Sequence, residues 1–263
     1  MTKQAMKYDI YTKEEITERP PRKAVYLESY LASPGAPFVI VCPGGAYEFV
    51  SDSNEGKPFA EKLNEAGYNA FVLFYSVGPG NAQNPHPLND VARAIKFIKD
   101  RADEFKVDKN RFALMGSSAG GHLCSIFSAR YSEFMTETDG TVYDLRPSAL
   151  LLVYPVISLE NPTHKLTQTN FLGFRNSKKD REAASVQYLV NEDYPPTFTW
   201  HNKDDTSVSC ENSIMLKQAL DKCNVRNELM LFEKGGHGVG LAEGKDAEGW
   251  IDHAISFLNE VIV

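Results

Sequence analysis

A serine between two glycines is the part of this sequence that points most directly to chemistry. Residues 116–120 read Gly-Ser-Ser-Ala-Gly, after the apolar run 112–115 and before a segment that can continue as a buried helix. Strand, Gly-x-Ser-x-Gly and helix place Ser118 at a sharp bend, where Gly116 and Gly120 prevent a collision of side chains. The hydroxyl would then lie at a helix N-terminus, where unpaired N–H groups favour negative charge. The pattern predicts a nucleophilic serine.

A serine hydroxyl needs a general base, and the base needs an acid that orients it. Loops at the carboxyl ends of parallel strands meet at one edge of a sheet, so both partners are expected directly after later strands. His237 lies in a glycine-rich loop after the predicted strand 228–232, and Asp204 and Asp205 follow the predicted strand 196–201. The order serine, aspartate, histidine fits this arrangement. Because neighbouring loop residues can both reach one site, either aspartate is a candidate for the acid.

A second pair of glycines follows another buried strand. The apolar run 38–42 leads directly into Pro43-Gly44-Gly45. Glycines at such a strand end leave their backbone N–H groups unobstructed, which an oxyanion hole requires. The segment is a candidate oxyanion hole, with an ordinary turn as the alternative.

Strands and helices alternate along most of the chain. Apolar or alternating segments predict strands, the first of them an antiparallel edge strand, at 24–32, 38–42, 70–75, 111–118, 149–154, 196–201 and 228–232. Periodic segments predict helices at 53–66, 89–102, 119–130, 209–222 and 247–258. This alternation predicts one α/β domain over residues 1–263, with a mostly parallel sheet and helices on both faces. Residues 1–23 are predicted to form an N-terminal arm on the surface, and the polar segment 157–193 a small cap or lid.

Composition and motifs narrow the classes of partner. A net charge of −7 over 263 residues disfavours nucleic acid. No apolar run approaches the ~20 residues of a membrane span, and the N-terminus lacks the pattern of a secretory signal. The four cysteines are widely spaced, and neither a metal-binding motif nor a nucleotide-binding glycine loop occurs. We expect a cytoplasmic protein without metal, cofactor, nucleic-acid or membrane partner; a homodimer is left open.

Together these motifs resemble the α/β-hydrolase superfamily, and more narrowly the esterase/lipase-like branch that includes carbohydrate and xylan acetylesterases. The resemblance extends from about residue 25 to residue 258. It rests on Cys-Pro-Gly-Gly-Ala-Tyr at 42–47, Gly-Ser-Ser-Ala-Gly-Gly-His-Leu at 116–123, Pro-Pro-Thr-Phe at 195–198, Asp-Thr-Ser-Val at 205–208 and Gly-His-Gly at 236–238. Two positions depart from the family pattern: Ala46 replaces a third glycine, and Ser209 replaces the proline that usually follows the valine.

The resemblance implies an α/β-hydrolase fold and ester hydrolysis through an acyl-serine. It implies Ser118 as the nucleophile and His237 as the base. It favours Asp205 over Asp204 as the acid, because the family acid precedes x-x-Val. The implied oxyanion hole consists of the N–H groups of Gly45, Ala46 and Ala119.

The expected substrate is a small ester with a short acyl group, acetyl first. Tyr47 and the compact segment 157–193 indicate a small acyl pocket, and Tyr47 is a candidate for contact with the substrate. Only the resemblance indicates an acetylated sugar or xylo-oligosaccharide. Alternatives are a general carboxylesterase, a serine peptidase of the same fold and a non-catalytic protein that binds a ligand in this pocket.

Overall fold

The strands of the protein form one sheet that is parallel except at one edge. The structure, a computed structural model, describes residues 5–137 and 140–262. The strands in these residues are β1 (Met6–Asp9), β2 (Tyr26–Tyr30), β3 (Phe38–Cys42), β4 (Asn69–Phe74), β5 (Phe112–Ser117), β6 (Ala149–Val153), β7 (Thr197–Asn202) and β8 (Asn227–Phe232). Their order is β1-β2-β4-β3-β5-β6-β7-β8. β2 is antiparallel to both β1 and β4, and all other neighbouring strands are parallel.

Helices cover both faces of the sheet. They are α1 (Lys13–Glu18), α2 (Asp52–Glu55), α3 (Lys57–Glu65), α4 (His86–Asp100), α5 (Ala102–Phe105), α6 (Ser118–Arg130), α7 (Lys165–Leu172), α8 (Lys178–Ala183), α9 (Glu211–Lys222) and α10 (Trp250–Val261). Apolar side chains of α4, α6 and α9 share one core cluster, and those of α3 and α10 share a second. Because side chains of β3 alternate between the two clusters, the clusters lie on opposite faces of the sheet. The predicted α/β architecture, a mostly parallel sheet with helices on both faces, is confirmed.

The N-terminal segment differs from the predicted surface arm. β1 pairs with β2, with Met6 opposite Ser29, and adds an eighth strand to the sheet. Ile10 and Tyr11, which follow β1, are buried. Only four residues form this strand, and none of them is buried, so its sequence carries no apolar periodicity that would reveal it.

Two predicted helices also begin or end elsewhere. The predicted helix 53–66 consists of α2 and α3, because the chain bends at Gly56 and Pro58 has no N–H to continue the ladder. α4 begins at His86, directly after Pro85. Asp90 therefore lies inside α4 and not at its N-terminus, where the predicted helix 89–102 would place it.

The segment 157–193 packs against the loops beside the sheet. It contains α7 and α8, and Phe171 of α7 is fully buried in the first core cluster. The N–H of Asn84 donates to the carbonyl oxygen of Phe171 at 2.9 Å. Asn170 Nδ2 donates to the carbonyl oxygen of Ala46 at 2.9 Å, which ties α7 to the loop after β3.

Among the described residues, no helix combines the length and the apolar character that a membrane crossing needs.

Asp90 connects the N-terminal segment to the sheet. Its Oδ1 accepts the hydroxyl of Tyr11 at 2.6 Å, and its Oδ2 accepts the N–H of Ser76 at 2.7 Å. Burial raises the pKa of this carboxyl group, against the effect of the hydrogen bonds it accepts. The buried group needs both donors, since an unpaired buried polar atom is costly.

Replacing Tyr11 by Phe should destabilise the protein. The change removes one donor from the buried Asp90, so we expect the free energy of unfolding to fall by about 1–3 kcal/mol in urea denaturation at neutral pH. Tyr8→Phe is the matched control, because the hydroxyl of Tyr8 donates to the sulfur of Met6 at 3.6 Å on the surface and not to a buried carboxylate. Equal effects of the two changes would contradict the role of Asp90.

Candidate active site

Ser118 occupies a strained bend between β5 and α6. Its φ is +51°, in the left-handed region that residues with a side chain rarely adopt. A Cβ atom at Gly116 would lie 2.3 Å from the carbonyl oxygen of Gly120, and one at Gly120 would lie 2.0 Å from that of Cys42. Both glycines are thus required by close backbone contacts. The local geometry is that of the predicted nucleophile elbow.

Three side chains from three loops form one hydrogen-bonded chain. Ser118 Oγ lies 2.9 Å from His237 Nε2, and His237 Nδ1 lies 2.6 Å from Asp205 Oδ2. A carboxylate only accepts, so Nδ1 carries the ring proton and Nε2 is free to accept the hydrogen of the serine. Ser118 follows β5, Asp205 follows β7 and His237 follows β8. The structure therefore brings these three sequence-predicted residues together.

The carboxylate of Asp205 accepts hydrogen bonds at every available position. Its Oδ1 accepts the N–H groups of Ser207 and Val208, both at 2.9 Å. Its Oδ2 lies 3.2 Å from His201 Nε2 in addition to its contact with His237. Burial acts to raise the pKa of Asp205, but the hydrogen bonds from the two histidines outweigh it and hold that pKa well below its usual value. The group therefore stays ionised where histidines titrate.

The neighbouring aspartate has a different position. Asp204 Oδ1 accepts the N–H groups of Gly235 and Gly236, each at 2.9 Å. It thereby fixes the beginning of the loop that carries His237. The geometry thus separates the two aspartates that the residue pattern alone left as alternatives: Asp205 contacts the histidine, and Asp204 holds its loop.

Backbone N–H groups surround the serine. Ala119 lies in the first turn of α6, where N–H groups have no partner within the helix. Among the described residues, the N–H groups of Gly45, Ala46 and Ala119 make no backbone hydrogen bond. The N–H of Gly44, in contrast, donates to Glu55 Oε2 at 2.8 Å. The three groups that the resemblance implied as an oxyanion hole are therefore available to a ligand.

Ser118 and His237 line a cleft of about 220 Å³. Clefts that hold drug-sized ligands are usually larger, roughly 300–1,000 Å³. Within the two described ranges, no group of three or more His, Cys, Asp and Glu side chains is placed to hold a metal ion. The cleft is lined by Gly45, Ala46, Phe49, Ser51, Glu55, Ser118, His164, Ser207, His237 and Gly238.

Tyr47 does not lie where the sequence led us to expect it. Its side chain is fully buried behind the cleft and is absent from the cleft wall. The hydroxyl lies 2.9 Å from His122 Nδ1, and His122 Nε2 lies 2.9 Å from the carbonyl oxygen of Ala184. Nε2 therefore donates and Nδ1 accepts the tyrosine hydroxyl. The prediction that Tyr47 contacts the substrate is therefore wrong, and its side chain belongs to the core. The left-handed backbone at Ala46 and Tyr47 turns the ring inward.

Sequence reasoning missed Glu55, a buried carboxylate beside the site. Its Oε2 accepts the N–H of Gly44 at 2.8 Å, and its Oε1 accepts the hydroxyl of Tyr154 at 2.7 Å. The same hydroxyl accepts the N–H of Gly240 at 3.0 Å. The Tyr154 ring meets the His237 ring edge-on, with 4.9 Å between centroids. Glu55 thereby links the loop after β3 to the loop that carries the histidine.

Burial raises the pKa of Glu55, while its hydrogen bonds with Tyr154 and Gly44 and the nearby His237 oppose that shift. No motif marked this residue, since a glutamate at the end of a four-residue helix resembles any surface carboxylate in sequence. Phe49 and His164 line the cleft and were missed for the same reason: they belong to loops without a recognisable pattern.

Replacing Glu55 by Gln should lower turnover without affecting binding strongly. An amide nitrogen cannot accept a hydrogen bond, so either the N–H of Gly44 or the hydroxyl of Tyr154 loses its partner. The loop after β3 should then shift. For p-nitrophenyl acetate we expect kcat to fall about tenfold, with KM changed less than about twofold. Glu61→Gln, on the solvent side of α3, is the matched control. An unchanged kcat in the Glu55 variant would show that this carboxylate does not position the site.

Known proteins are similar to this chain in sequence and in structure. The crystal structure of an acetyl ester-xyloside bifunctional hydrolase from Caldicellulosiruptor lactoaceticus superposes with a TM-score of 0.90 and 30% identity, over 99% of this chain and 98% of that one. The endo-1,4-beta-xylanase B of Butyrivibrio fibrisolvens is 30% identical over 81% of this chain and 34% of its own length. The acetylxylan esterase of Xylanibacter ruminicola is 29% identical over 80% of this chain and 42% of its own length.

The chain therefore spans between a third and a half of the length of these two relatives. The structural likeness confirms the predicted α/β-hydrolase fold. The model of the BD-FAE family matches residues 24–220, which is more than half of the chain. The protein thus belongs to the BD-FAE family of α/β-hydrolases.

Proposed function

We propose that the protein is a serine esterase that removes short acyl groups, acetyl first, from acetylated sugars such as xylo-oligosaccharides. The observation that carries this proposal is the hydrogen-bonded chain from Ser118 through His237 to Asp205 at a small cleft. Beside it lie backbone N–H groups that have no backbone partner among the described residues, those of Gly45, Ala46 and Ala119. These are the parts that acyl transfer needs: a nucleophile, an oriented base and donors for the oxyanion.

The reaction follows from the positions of the protons. His237 Nε2 takes the proton of Ser118 Oγ as this oxygen attacks the ester carbonyl carbon, and the carbonyl electron pair moves to its oxygen. The N–H groups of Gly45, Ala46 and Ala119 donate to that oxyanion. The ester bond then breaks, and the alcohol leaves with the proton from His237 Nε2. Water repeats the sequence on the acyl-serine and releases the acid, while Asp205 stabilises the imidazolium in both halves.

Two kinds of observation support the choice of substrate. The small volume of the cleft favours a short acyl group. The similar proteins include an acetylxylan esterase and an acetyl ester-xyloside bifunctional hydrolase, which favours an acetylated sugar as the ester. A general carboxylesterase uses the same residues and differs only in its selectivity for the alcohol.

The proposal predicts both a nucleophile and a selectivity. Ser118→Ala should lower the turnover of p-nitrophenyl acetate by at least ~10³, and a fluorophosphonate should label the native protein but not the variant. In a series of p-nitrophenyl esters, kcat/KM should fall from acetate to longer chains. Acetylated xylobiose should be cleaved with a higher kcat/KM than ethyl acetate. Unchanged turnover in the variant would refute the nucleophile, and equal values for the last two substrates would favour a general carboxylesterase.

The two adjacent aspartates provide a matched pair of variants. Asp205→Asn removes the charge that orients His237, so kcat for p-nitrophenyl acetate should fall by about 10³–10⁴. Asp204→Asn retains an oxygen that can accept from Gly235 and Gly236, so its kcat should stay within about fivefold of the native value. Similar losses in the two variants, measured at one pH with folding checked by circular dichroism, would contradict the assignment of the acid.

A further inference from the structure

Phe49 is an exposed aromatic residue at the catalytic cleft. Its side chain is 57% exposed, although apolar rings of this size are usually buried. It lines the same cleft as Ser118 and His237. Because burial of apolar surface is favourable, a ligand with an apolar face would gain free energy by covering this ring.

Backbone hydrogen bonds hold Phe49 next to Gly45 in the loop after β3. The N–H groups of Glu48 and Phe49 both donate to the carbonyl oxygen of Gly45, at 2.8 and 3.2 Å, and the N–H of Ser51 donates to that of Gly44 at 3.0 Å. Gly45 has φ +120°, and a Cβ atom there would lie 2.1 Å from the carbonyl oxygen of Phe49 and 3.2 Å from its ring. The ring thus lies beside Gly45, and the backbone that carries it is held by hydrogen bonds. Such preorganisation lowers the entropy cost of binding.

The cleft wall also contains polar side chains. His164, at the start of α7, lies across from the loop after β3, and its Nδ1 lies 2.9 Å from Thr167 Oγ1. Within the described part of the chain, His164 Nε2 has no hydrogen-bond partner and is not enclosed. Ser51 and Ser207 also line the cleft. One aromatic face and several hydrogen-bonding groups therefore share one small volume.

A pyranose ring has the complementary chemistry. Its C–H bonds form an apolar face that carries slight positive charge, and its hydroxyl groups form a polar rim. The face of an aromatic ring carries negative charge from its quadrupole and attracts such C–H groups. The hydroxyl rim can both donate to and accept from imidazole and serine side chains.

We propose that Phe49 forms a sugar subsite, in which the pyranose ring of the ester's alcohol stacks on the Phe49 ring and hydrogen-bonds to His164, an inference that rests on the proposed function. Phe49 is then a specificity-determining residue for the alcohol. The acetyl group, held between Ser118 and the oxyanion N–H groups, is recognised independently of this ring. An ester with a small, non-sugar alcohol therefore gains nothing from Phe49.

The test compares two acetyl esters that differ only in the alcohol. For acetylated xylobiose, Phe49→Ala should lower kcat/KM about five- to tenfold, mainly through KM, as expected for the loss of one aromatic contact. For ethyl acetate, followed by titration of the released acid, the same change should alter kcat/KM less than about twofold. Phe49→Trp should retain the native kcat/KM for acetylated xylobiose, whereas Phe49→Leu should not, because leucine is apolar but has no aromatic face.

Phe174→Ala is the matched control, since Phe174 is 86% exposed but does not line the cleft. It should leave both substrates unaffected. Equal losses on both substrates in Phe49→Ala would show that the ring supports the oxyanion loop, and would overturn the subsite, as would no loss on either. Native protein that cleaves ethyl acetate but not acetylated xylobiose would refute the proposed function itself. Native cleavage of both esters, with Phe49→Ala unchanged, would refute only the subsite.

Discussion

The site depends on keeping one negative charge in a place that water does not reach. A buried carboxylate is stable only when its oxygens are satisfied by hydrogen bonds. Asp205 meets this condition with two backbone N–H groups of its own loop and two histidine rings, one from β7 and one from the loop after β8. The pairing fixes the tautomer of His237 and so determines which ring nitrogen faces Ser118. The loops after three parallel strands are thereby brought to one point.

A second buried carboxylate shows how the surroundings separate two similar groups. Both Asp205 and Glu55 lie close to His237, but the pKa of Asp205 is lowered and that of Glu55 is raised. Asp205 accepts from two histidine rings, whereas Glu55 accepts from a tyrosine hydroxyl and one backbone N–H. The first group holds a charge that balances an imidazolium. The second group positions other residues, because it joins the loop after β3 to Tyr154, whose ring packs on His237.

The sequence predicted those parts of the fold that have their own local signature. Buried strands, glycines at backbone contacts and a histidine in a glycine-rich loop are each visible in a few residues, so the sheet and the grouping of Ser118 with His237 followed from them. The choice between Asp204 and Asp205 did not follow from these local patterns, because it depends on which side chain turns inward after β7; only the resemblance to a known family favoured Asp205. The inward rotation of Tyr47 and the burial of Glu55 depend on contacts with distant segments, which periodicity does not record.

The hydrogen bond from Asn170 to Ala46 has a consequence for any exchange of the segment 157–193. The segment 157–193 carries no strand of the sheet, and His164 within it lines the cleft, so exchanging the segment between relatives would be an obvious way to alter selectivity. Yet Asn170 of α7 also donates to the carbonyl oxygen of Ala46, in the loop after β3. A grafted segment must therefore bring its own donor for that oxygen. Exchange of the segment would therefore change the hydrogen bonding of the loop after β3 together with the part of the cleft wall that His164 forms.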